Sequence, residues 1–198
     1  MIKKIILFIC LRTGRFPLLL KFFGKPNGFE YASFLAKRNV FHHIGEYCSI
    51  NDDTLFTDPG YVSIGDNVCL SSCTILGHDA SVSVFMRSTG KILDKVGKVE
   101  IGSNVFIGYG SIVLPDVKIG SNIIVAAGSV VTKNLESGYI YAGVPAVNIG
   151  AIEKYISKIE EQTSKYPWFD ILEGGDWHGK VEVERKLYQS RINHFYGH

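Results

Sequence analysis

Between residues 44 and 131, an apolar side chain recurs at every sixth position of the sequence, in three blocks. The recurring positions are Ile44, Ile50 and Phe56, then Ile64, Leu70 and Leu76, and then Ile101, Ile107, Val113, Ile119, Val125 and Val131. This spacing fits neither the helical period of about 3.6 residues nor the alternation of a hairpin meander. It predicts short flat strands joined by tight corners, with three strands to each triangular coil and a continuous apolar column inside the stacked coils.

Two further positions of the repeat support an all-β solenoid over residues 44–150. A glycine often follows the apolar residue, at Gly45, Gly65, Gly77, Gly102, Gly108 and Gly120. Four residues after the apolar one stands a small or β-branched residue, which is Cys48, Thr54, Val68, Thr74, Val105, Ser111, Val117, Ile123 or Ser129. We expect the glycines to turn the corners and the small residues to pack beside the apolar column.

The repeat is interrupted twice. Its phase slips around Asp58, Pro59 and Gly60, which indicates an irregular corner. From residue 77 to residue 100 the period is lost and the sequence becomes polar, so we predict a loop ejected from the coil. Long excursions from a rigid scaffold often carry function.

Segments of a different character flank the repeat. Residues 1–43 are predicted to form an N-terminal cap segment, and residues 151–198 a C-terminal helical extension. Within the extension, apolar residues from Ile152 to Ile159 recur at helical spacing and predict a helix over 151–165. A turn leads to a second predicted helix over 181–195.

The first residues place Lys3 and Lys4 before an apolar run that ends at Arg12. The run is too short to span a bilayer and lacks a small-residue cleavage site, so we predict neither a transmembrane segment nor a signal peptide. A packed amphipathic cap is the favoured interpretation, and a membrane-associating segment is the alternative.

Composition narrows the possible functions. A net charge of +2 over 198 residues argues against nucleic-acid binding, and an anionic ligand would need a local basic patch. The four cysteines, Cys10, Cys48, Cys69 and Cys73, show no disulfide-framework spacing. We therefore predict reduced thiols and a cytoplasmic protein.

His78 stands where the coil gives way to the predicted loop. Histidine suits general-base catalysis because its unperturbed pKa lies near neutrality, although position alone fits a structural corner histidine equally well. A neutral base needs an acceptor for its other ring nitrogen, and Asp58, Asp52, Glu46 or a backbone carbonyl all remain open. Adjacent Asp79 is expected to point away, as neighbours in an extended chain do.

The cysteines are not expected to act as covalent nucleophiles. Cys48 occupies an inward position and is predicted to lie in the core. Cys69 and Cys73 lie beside corners, where they could be exposed, but no histidine stands at a telling spacing from either.

The most specific stretches are residues 101–108, 126–133 and 142–146, together with Gly77-His78-Asp79. Through them the sequence resembles the hexapeptide-repeat acyltransferases, most closely the galactoside and maltose O-acetyltransferases and the streptogramin acetyltransferases. The resemblance covers residues 44–150. It implies a left-handed parallel β-helix and a homotrimer whose active sites lie in the grooves between subunits.

The resemblance also implies substrates and site residues. His78 would be the base for direct acetyl transfer from acetyl-CoA to an acceptor hydroxyl. The matching positions for acetyl-CoA are Tyr109, Ala127, Thr132 and Lys133, and those near the acceptor are Asn51 and Asp58. Lys133 would contact a CoA phosphate, with a solvated corner lysine as the alternative.

The sequence departs from the family pattern in two places. Val147 and Gly150 stand where relatives often carry basic residues near the CoA phosphates, so Lys154, Lys158 or another subunit would have to substitute. Residues 1–43 do not match the maltose enzyme, which leaves the acceptor open.

An O-acetyltransferase acting on a sugar, a polysaccharide unit or a related small molecule is the favoured function. N-acetylation of an amino sugar, xenobiotic acetylation and a non-catalytic scaffold are the alternatives. The γ-class carbonic anhydrases share this kind of coil but need three converging histidines around zinc. The histidines outside the repeat are His42, His43, His178, His194 and His198. No metal is therefore predicted.

Overall fold

The computed structural model describes residues 2–175 and 180–197, in two compact units that divide after Ile152. His178 and His198 lie outside the described residues. Within the described ranges, no helix is both long enough and apolar enough to cross a membrane.

The first unit contains a series of very short strands. They are β1 His43–Ile44, β2 Ser49–Ile50, β3 Leu55–Phe56, β4 Val62–Ile64, β5 Val68–Leu70, β6 Thr74–Ile75, β7 Val99–Ile101, β8 Val105–Ile107, β9 Ile112–Val113, β10 Lys118–Ile119, β11 Ile123–Val125, β12 Val130–Val131, β13 Tyr139–Ala142 and β14 Val147–Ala151. Paired strands run parallel to each other, except that β14 runs antiparallel to β13.

The strands fall into three sheets that the chain visits in rotation. The first sheet holds β1, β4, β7 and β10, the second holds β2, β5, β8, β11, β13 and β14, and the third holds β3, β6, β9 and β12. From β1 to β12, successive strands therefore do not pair with each other, whereas strands three apart along the chain do; β13 and β14 then both join the second sheet and pair with each other. This is the strand order that the six-residue period predicts for stacked three-sided coils.

The predicted apolar column forms the core of the first unit. Its fully or nearly buried members are Ile50, Ile64, Leu70, Ile101, Ile107, Val113, Ile119, Val125 and Val131. One predicted position is wrong: Ile75 rather than Leu76 is buried, and Ile75 aligns with Phe56 and Val113 in the third sheet. The corner after Leu70 is one residue shorter than the period requires, so Cys73 takes the inward small-residue position predicted for Thr74.

The corners between the first and second sheets stack closely. A Cβ on Gly65 would lie 2.8 Å from the carbonyl carbon of Gly102, and a Cβ on Gly102 would lie 2.7 Å from the carbonyl oxygen of Gly120. Beside them, the amide of Asn67 donates to Asn104 at 2.9 Å, and that of Asn104 donates to Asn122 at 3.0 Å. These contacts hold successive coils in register.

Helices precede the coils. They are α1 Ile2–Thr13, α2 Pro17–Leu19 with a following π-helical turn over Leu20–Gly24, and α3 Gly28–Lys37. A capping box begins α3, because Asn27 accepts from the Glu30 amide and Glu30 accepts from the Asn27 amide. Ala32 of α3 joins the core of the coils, whereas Cys10, Leu20 and Phe34 form a second small core.

The second unit contains α5 Ile152–Thr163, apart from its first residue, together with α6 Phe169–Glu173 and α7 Val181–Tyr196. The bounds of α5 and α7 lie close to those that the sequence predicts, whereas α6 occupies part of the predicted turn. Trp168 is buried, stacks on Tyr166 with ring centroids 4.5 Å apart, and receives the Arg191 guanidinium 5.8 Å from its ring.

Candidate active site

Asp58 and His78 lie side by side, with Asp58 Oδ2 in hydrogen-bond contact with His78 Nδ1. Asp58 follows β3 and His78 follows β6, and these strands are neighbours in the third sheet, with Phe56 opposite Ile75. The two side chains therefore project from the same corner of successive coils. Among the acceptors that the sequence left open for His78, the structure selects Asp58.

A short chain of hydrogen bonds holds the Asp58 carboxylate. The Gly77 N–H donates to Thr57 Oγ1 at 3.0 Å, and the Thr57 hydroxyl donates to Asp58 Oδ2 at 2.9 Å. The hydrogen bond from His78 is the main cause that lowers the pKa of Asp58, which keeps the carboxyl ionised. With Nδ1 held by an acceptor, Nε2 is the ring nitrogen that can take a proton from another molecule.

The close approach of these two residues depends on Gly77. A Cβ at this position would lie 2.7 Å from the Asp58 Cβ and 3.1 Å from Tyr61 Cδ2. Any larger side chain would displace Asp58 from His78. The sequence identifies Gly77 as a corner glycine, and the structure adds this second reason for it.

The segment that begins at His78 leaves the coil and returns to it at nearly the same point. The Gly97 N–H donates to the Gly77 carbonyl at 2.9 Å, and the Asp79 N–H donates to the Lys95 carbonyl at 2.8 Å. Between them lie a 3₁₀ turn over Ala80–Val82 and α4 Ser83–Thr89. His78 thus has a fixed backbone and a side chain that is 43% exposed.

Asp79 has a separate role at the base of this loop. Its carboxylate pairs with Lys95 at 2.6 Å and accepts from the Ser81 N–H at 3.0 Å. These contacts, with that to Lys95 the largest, hold the pKa of Asp79 well below its usual range. Asp79 closes the loop and does not orient His78, as the sequence predicts.

A pocket of about 360 Å³ opens beside the loop closure. Its lining includes Tyr61, Gly97, Lys98 and Glu100, with Lys98 Nζ 3.0 Å from Glu100 Oε1. It also includes His42, Gly60, Ser63 and Val96. The sequence does not predict that these residues line a pocket. Ser63 and Glu100 could have been recognised as outward-facing, because each directly precedes a buried residue of the apolar column, Ile64 or Ile101.

The other predicted site residues divide between two corners of the coil. Thr132 and Lys133 follow β12 of the third sheet, at the corner that also carries Asp58 and His78, and both are exposed. Asn51, Tyr109 and Ala127 follow strands of the second sheet, at the next corner. A single chain therefore does not bring all of them together.

The second corner has its own hydrogen-bond network. Asn51 Nδ2 donates to Ser72 Oγ at 3.0 Å, and the Ser72 hydroxyl donates to Asp53 Oδ1 at 2.6 Å. The Gly128 N–H donates to the Tyr109 carbonyl at 2.8 Å, which places Ala127 beside Tyr109. The Tyr109 side chain is exposed.

The cysteine thiols are poor nucleophiles. Burial raises the pKa of Cys73 to about 12, and it also raises the pKa of Cys48 and of Cys69. Cys48 lies in the core as predicted, whereas the suggestion that Cys73 could be exposed is wrong. A thiol with such a pKa carries almost no thiolate at neutral pH.

Comparison with known proteins assigns the family. The profile described as bacterial transferase hexapeptide (six repeats) matches residues 98–133, which span β7 to β12. Protein CapG of Staphylococcus aureus is 39% identical over 144 residues, which cover 72% of this chain and 76% of CapG. The chain belongs to the bacterial hexapeptide transferases. This confirms the resemblance carried by residues 101–108 and 126–133.

The hexapeptide transferase also shares its fold with solved structures. A hexapeptide-repeat acetyltransferase from Vibrio cholerae superposes with a TM-score of 0.56 at 22% identity, covering 74% of this chain and 92% of that chain. The structure of the Vibrio cholerae acetyltransferase in complex with acetyl coenzyme A superposes with a TM-score of 0.51 at 21% identity, over 73% and 88% of the two chains. At these identities the likeness is one of fold.

Proposed function

We propose that this hexapeptide transferase is an acetyl-CoA-dependent O-acetyltransferase that acts on a hydroxyl of a sugar, a polysaccharide unit or a related small molecule. The observation that carries the proposal is the Asp58–His78 pair, held at the mouth of the loop with His78 partly exposed. Family membership and the acetyl-CoA complex of the Vibrio cholerae acetyltransferase favour acetyl-CoA as the donor substrate.

The reaction is a direct transfer in which no covalent enzyme intermediate forms. His78 Nε2 takes the proton of the acceptor hydroxyl while the hydroxyl oxygen attacks the thioester carbonyl carbon. The tetrahedral intermediate then expels the CoA thiolate by breaking the C–S bond, and the thiolate takes the proton back from His78. Throughout, Asp58 holds the Nδ1–H and stabilises the transient imidazolium.

The oxyanion of the intermediate needs a hydrogen-bond donor. Glycines near Tyr109 suggest backbone donors there, but the Gly108 N–H donates to Val125 and the Gly110 N–H donates to Ser72. We therefore assign this role to the Tyr109 N–H of a second subunit.

The division of the site between two corners supports a homotrimer. In a trimer, the corner of one subunit that carries Asp58, His78 and Lys133 would face the corner of the next subunit that carries Tyr109 and Ala127. The pocket beside Tyr61 would open into the groove between them and receive the acceptor. We extend the proposal to a left-handed coil and to three such grooves per assembly.

The protein is expected to sediment as a stable trimer, because a coil of short strands has a thin core and gains buried area by lateral packing. Analytical ultracentrifugation at the concentrations used for activity assays measures this directly. An active, stable monomer would contradict both the trimer and the site between subunits.

The proposed function is tested by CoA release. Purified protein is incubated with acetyl-CoA and a panel of sugars, amino sugars and other hydroxylated compounds, and free thiol is measured. O-acetylation predicts thiol release with acceptors that carry only hydroxyls. Thiol release only with amines would favour an N-acetyltransferase. No thiol release with any compound of the panel would favour a scaffold.

Lys133→Ala is expected to weaken acetyl-CoA binding by about ten- to a hundredfold, the usual effect of losing one charge-assisted contact to a phosphate. Acceptor affinity should change little. Calorimetric titration measures the dissociation constant, with Lys3→Ala as the control for loss of an exposed lysine outside the coils. An unaltered constant in Lys133→Ala would place the phosphates elsewhere.

Asp58→Asn is expected to lower turnover by at least about tenfold, but by less than the loss of His78 itself, since the base remains while its carboxylate partner is gone. The informative measurement is the double variant with His78→Ala. If Asp58 acts through His78, the double variant is no slower than His78→Ala alone. Independent, multiplicative losses would show that Asp58 acts on the acceptor instead.

A further inference from the structure

The helices before the coils bury one face and expose another. In α1, Ile6, Leu7, Cys10 and Leu11 pack on the small core formed with Leu20 and Phe34. Between residues 2 and 23, the exposed large apolar residues are Ile2, Ile5, Phe8, Ile9, Phe16, Leu18, Leu19, Phe22 and Phe23, which we call the N-terminal apolar face. In α1, its members Ile2, Ile5 and Ile9 recur at helical spacing and form one exposed side of the helix, next to the buried face that carries Cys10.

The exposure is large for side chains of this size. Phe8 is 61% exposed, Phe22 65% and Phe23 62%. Scattered single apolar residues are ordinary on a protein surface, but nine exposed large apolar side chains within one short segment indicate an interaction site.

The charged side chains around the N-terminal apolar face are all basic up to α3, whose Glu30 is the first acidic residue of the sequence. Residues 2–29 contain no aspartate or glutamate, whereas their basic side chains are Lys3, Lys4, Arg12, Arg15, Lys21 and Lys25. The rest of the chain carries more acidic than basic residues. The near-neutral charge of the whole protein therefore hides a strongly positive N-terminal segment.

Cations and aromatic rings alternate closely on this surface. The Arg12 guanidinium lies 5.8 Å from the Phe8 ring centre, and that of Arg15 lies 5.7 Å from the Phe16 ring centre. A surface on which cations lie over exposed aromatic rings suits the boundary between lipid headgroups and acyl chains.

We propose that the N-terminal apolar face binds the surface of a membrane that contains anionic lipids. The apolar side chains would enter the headgroup region, and the lysines and arginines would contact lipid phosphates and carboxylates. None of the described helices is long and apolar enough to cross a bilayer, so the N-terminal apolar face would lie on the membrane surface. A second copy of the chain is a poor occupant, because it would bring two sets of uncompensated positive charges together. This inference is independent of the proposed acetyl transfer.

The test is co-sedimentation of the full chain with phosphatidylcholine vesicles that contain or lack phosphatidylserine. Binding is expected with the anionic vesicles, with little binding to phosphatidylcholine alone. Each neutralised lysine should weaken binding by about fivefold, so K3Q/K4Q should bind about twenty-five-fold more weakly. K154Q/K158Q, which removes two exposed lysines from α5, is the charge-matched control and should bind normally.

The apolar contribution is tested with F8S/F22S/F23S, which should abolish sedimentation with vesicles. The control F85S/I92S removes exposed apolar residues from the loop and should retain binding. Circular dichroism melting of each variant separates loss of binding from loss of fold, and K3Q/K4Q gives an independent answer if the triple variant unfolds. The proposal would be overturned if wild-type protein did not sediment with anionic vesicles, or if the triple variant sedimented with them as wild-type protein does. So would a triple variant that sediments without lipid as a smaller assembly, since the face would then join copies of the chain.

Discussion

His78→Ala is expected to lower turnover by at least about a hundredfold, the lower limit of general-base assistance, while acetyl-CoA binding and oligomeric state are preserved. The partly exposed imidazole lies outside the apolar column, so its removal opens no cavity in the core. Steady-state kinetics on an acceptor from the panel measures the loss. Thermal denaturation and acetyl-CoA titration monitor folding and binding.

His43→Ala is the matched control, because His43 is an exposed histidine on β1 of the first sheet, whereas Asp58 and His78 follow strands of the third sheet. It should retain normal turnover. A His78→Ala protein that keeps more than about a tenth of wild-type turnover would exclude His78 as the base. A His78→Ala protein that unfolds would show that the residue is structural.

Ile107→Ala is expected to lower the free energy of unfolding by about 2–5 kcal/mol, the usual cost of truncating a fully buried aliphatic side chain. Ile107 is 0% exposed and lies in the second sheet between Leu70 and Val125. Its removal leaves a gap in a column that is only one side chain wide at each strand, so neighbouring coils cannot easily close it.

Ile149→Ala is the control, since Ile149 also lies in a strand but is 61% exposed. It should change the unfolding free energy by no more than about 0.5 kcal/mol. Chemical denaturation at one protein concentration compares the two variants. Equal losses would mean that the column is not the main source of stability.

The parallel sheets and the order of their strands were largely predictable because each short strand meets the same physical requirement. A narrow interior accepts one aliphatic residue from each strand, and an aliphatic residue therefore recurs at about every sixth position of the sequence. The misplacement of Leu76 shows the limit of such a pattern. A corner shortened by one residue shifts the phase for a single strand, and Ile75 and Leu76 are equally apolar, so only the alignment of Ile75 with Val113 distinguishes them.

The candidate site was less predictable for a geometric reason. Asp58, Asp52 and Glu46 are all acidic residues near corners, and sequence distance does not reveal which corner each occupies. Once the strands are assigned to sheets, Asp58 is the one that lies directly below His78. The N-terminal segment was predicted as a packed cap, and the structure shows that packing accounts for only one of its faces.

The loop that carries His78 leaves and rejoins the first unit at neighbouring backbone positions, where Gly97 donates to Gly77 and Asp79 donates to Lys95. Insertions or exchanges between residues 80 and 94 would therefore leave the strand register and the Asp58–His78 contact untouched. Such a segment can diversify rapidly in evolution, as exposed loop tips do, while the Asp58–His78 pair stays fixed. Homologues with different acceptors are expected to differ first in this exchangeable module, and grafting it between them offers a direct route to altered specificity.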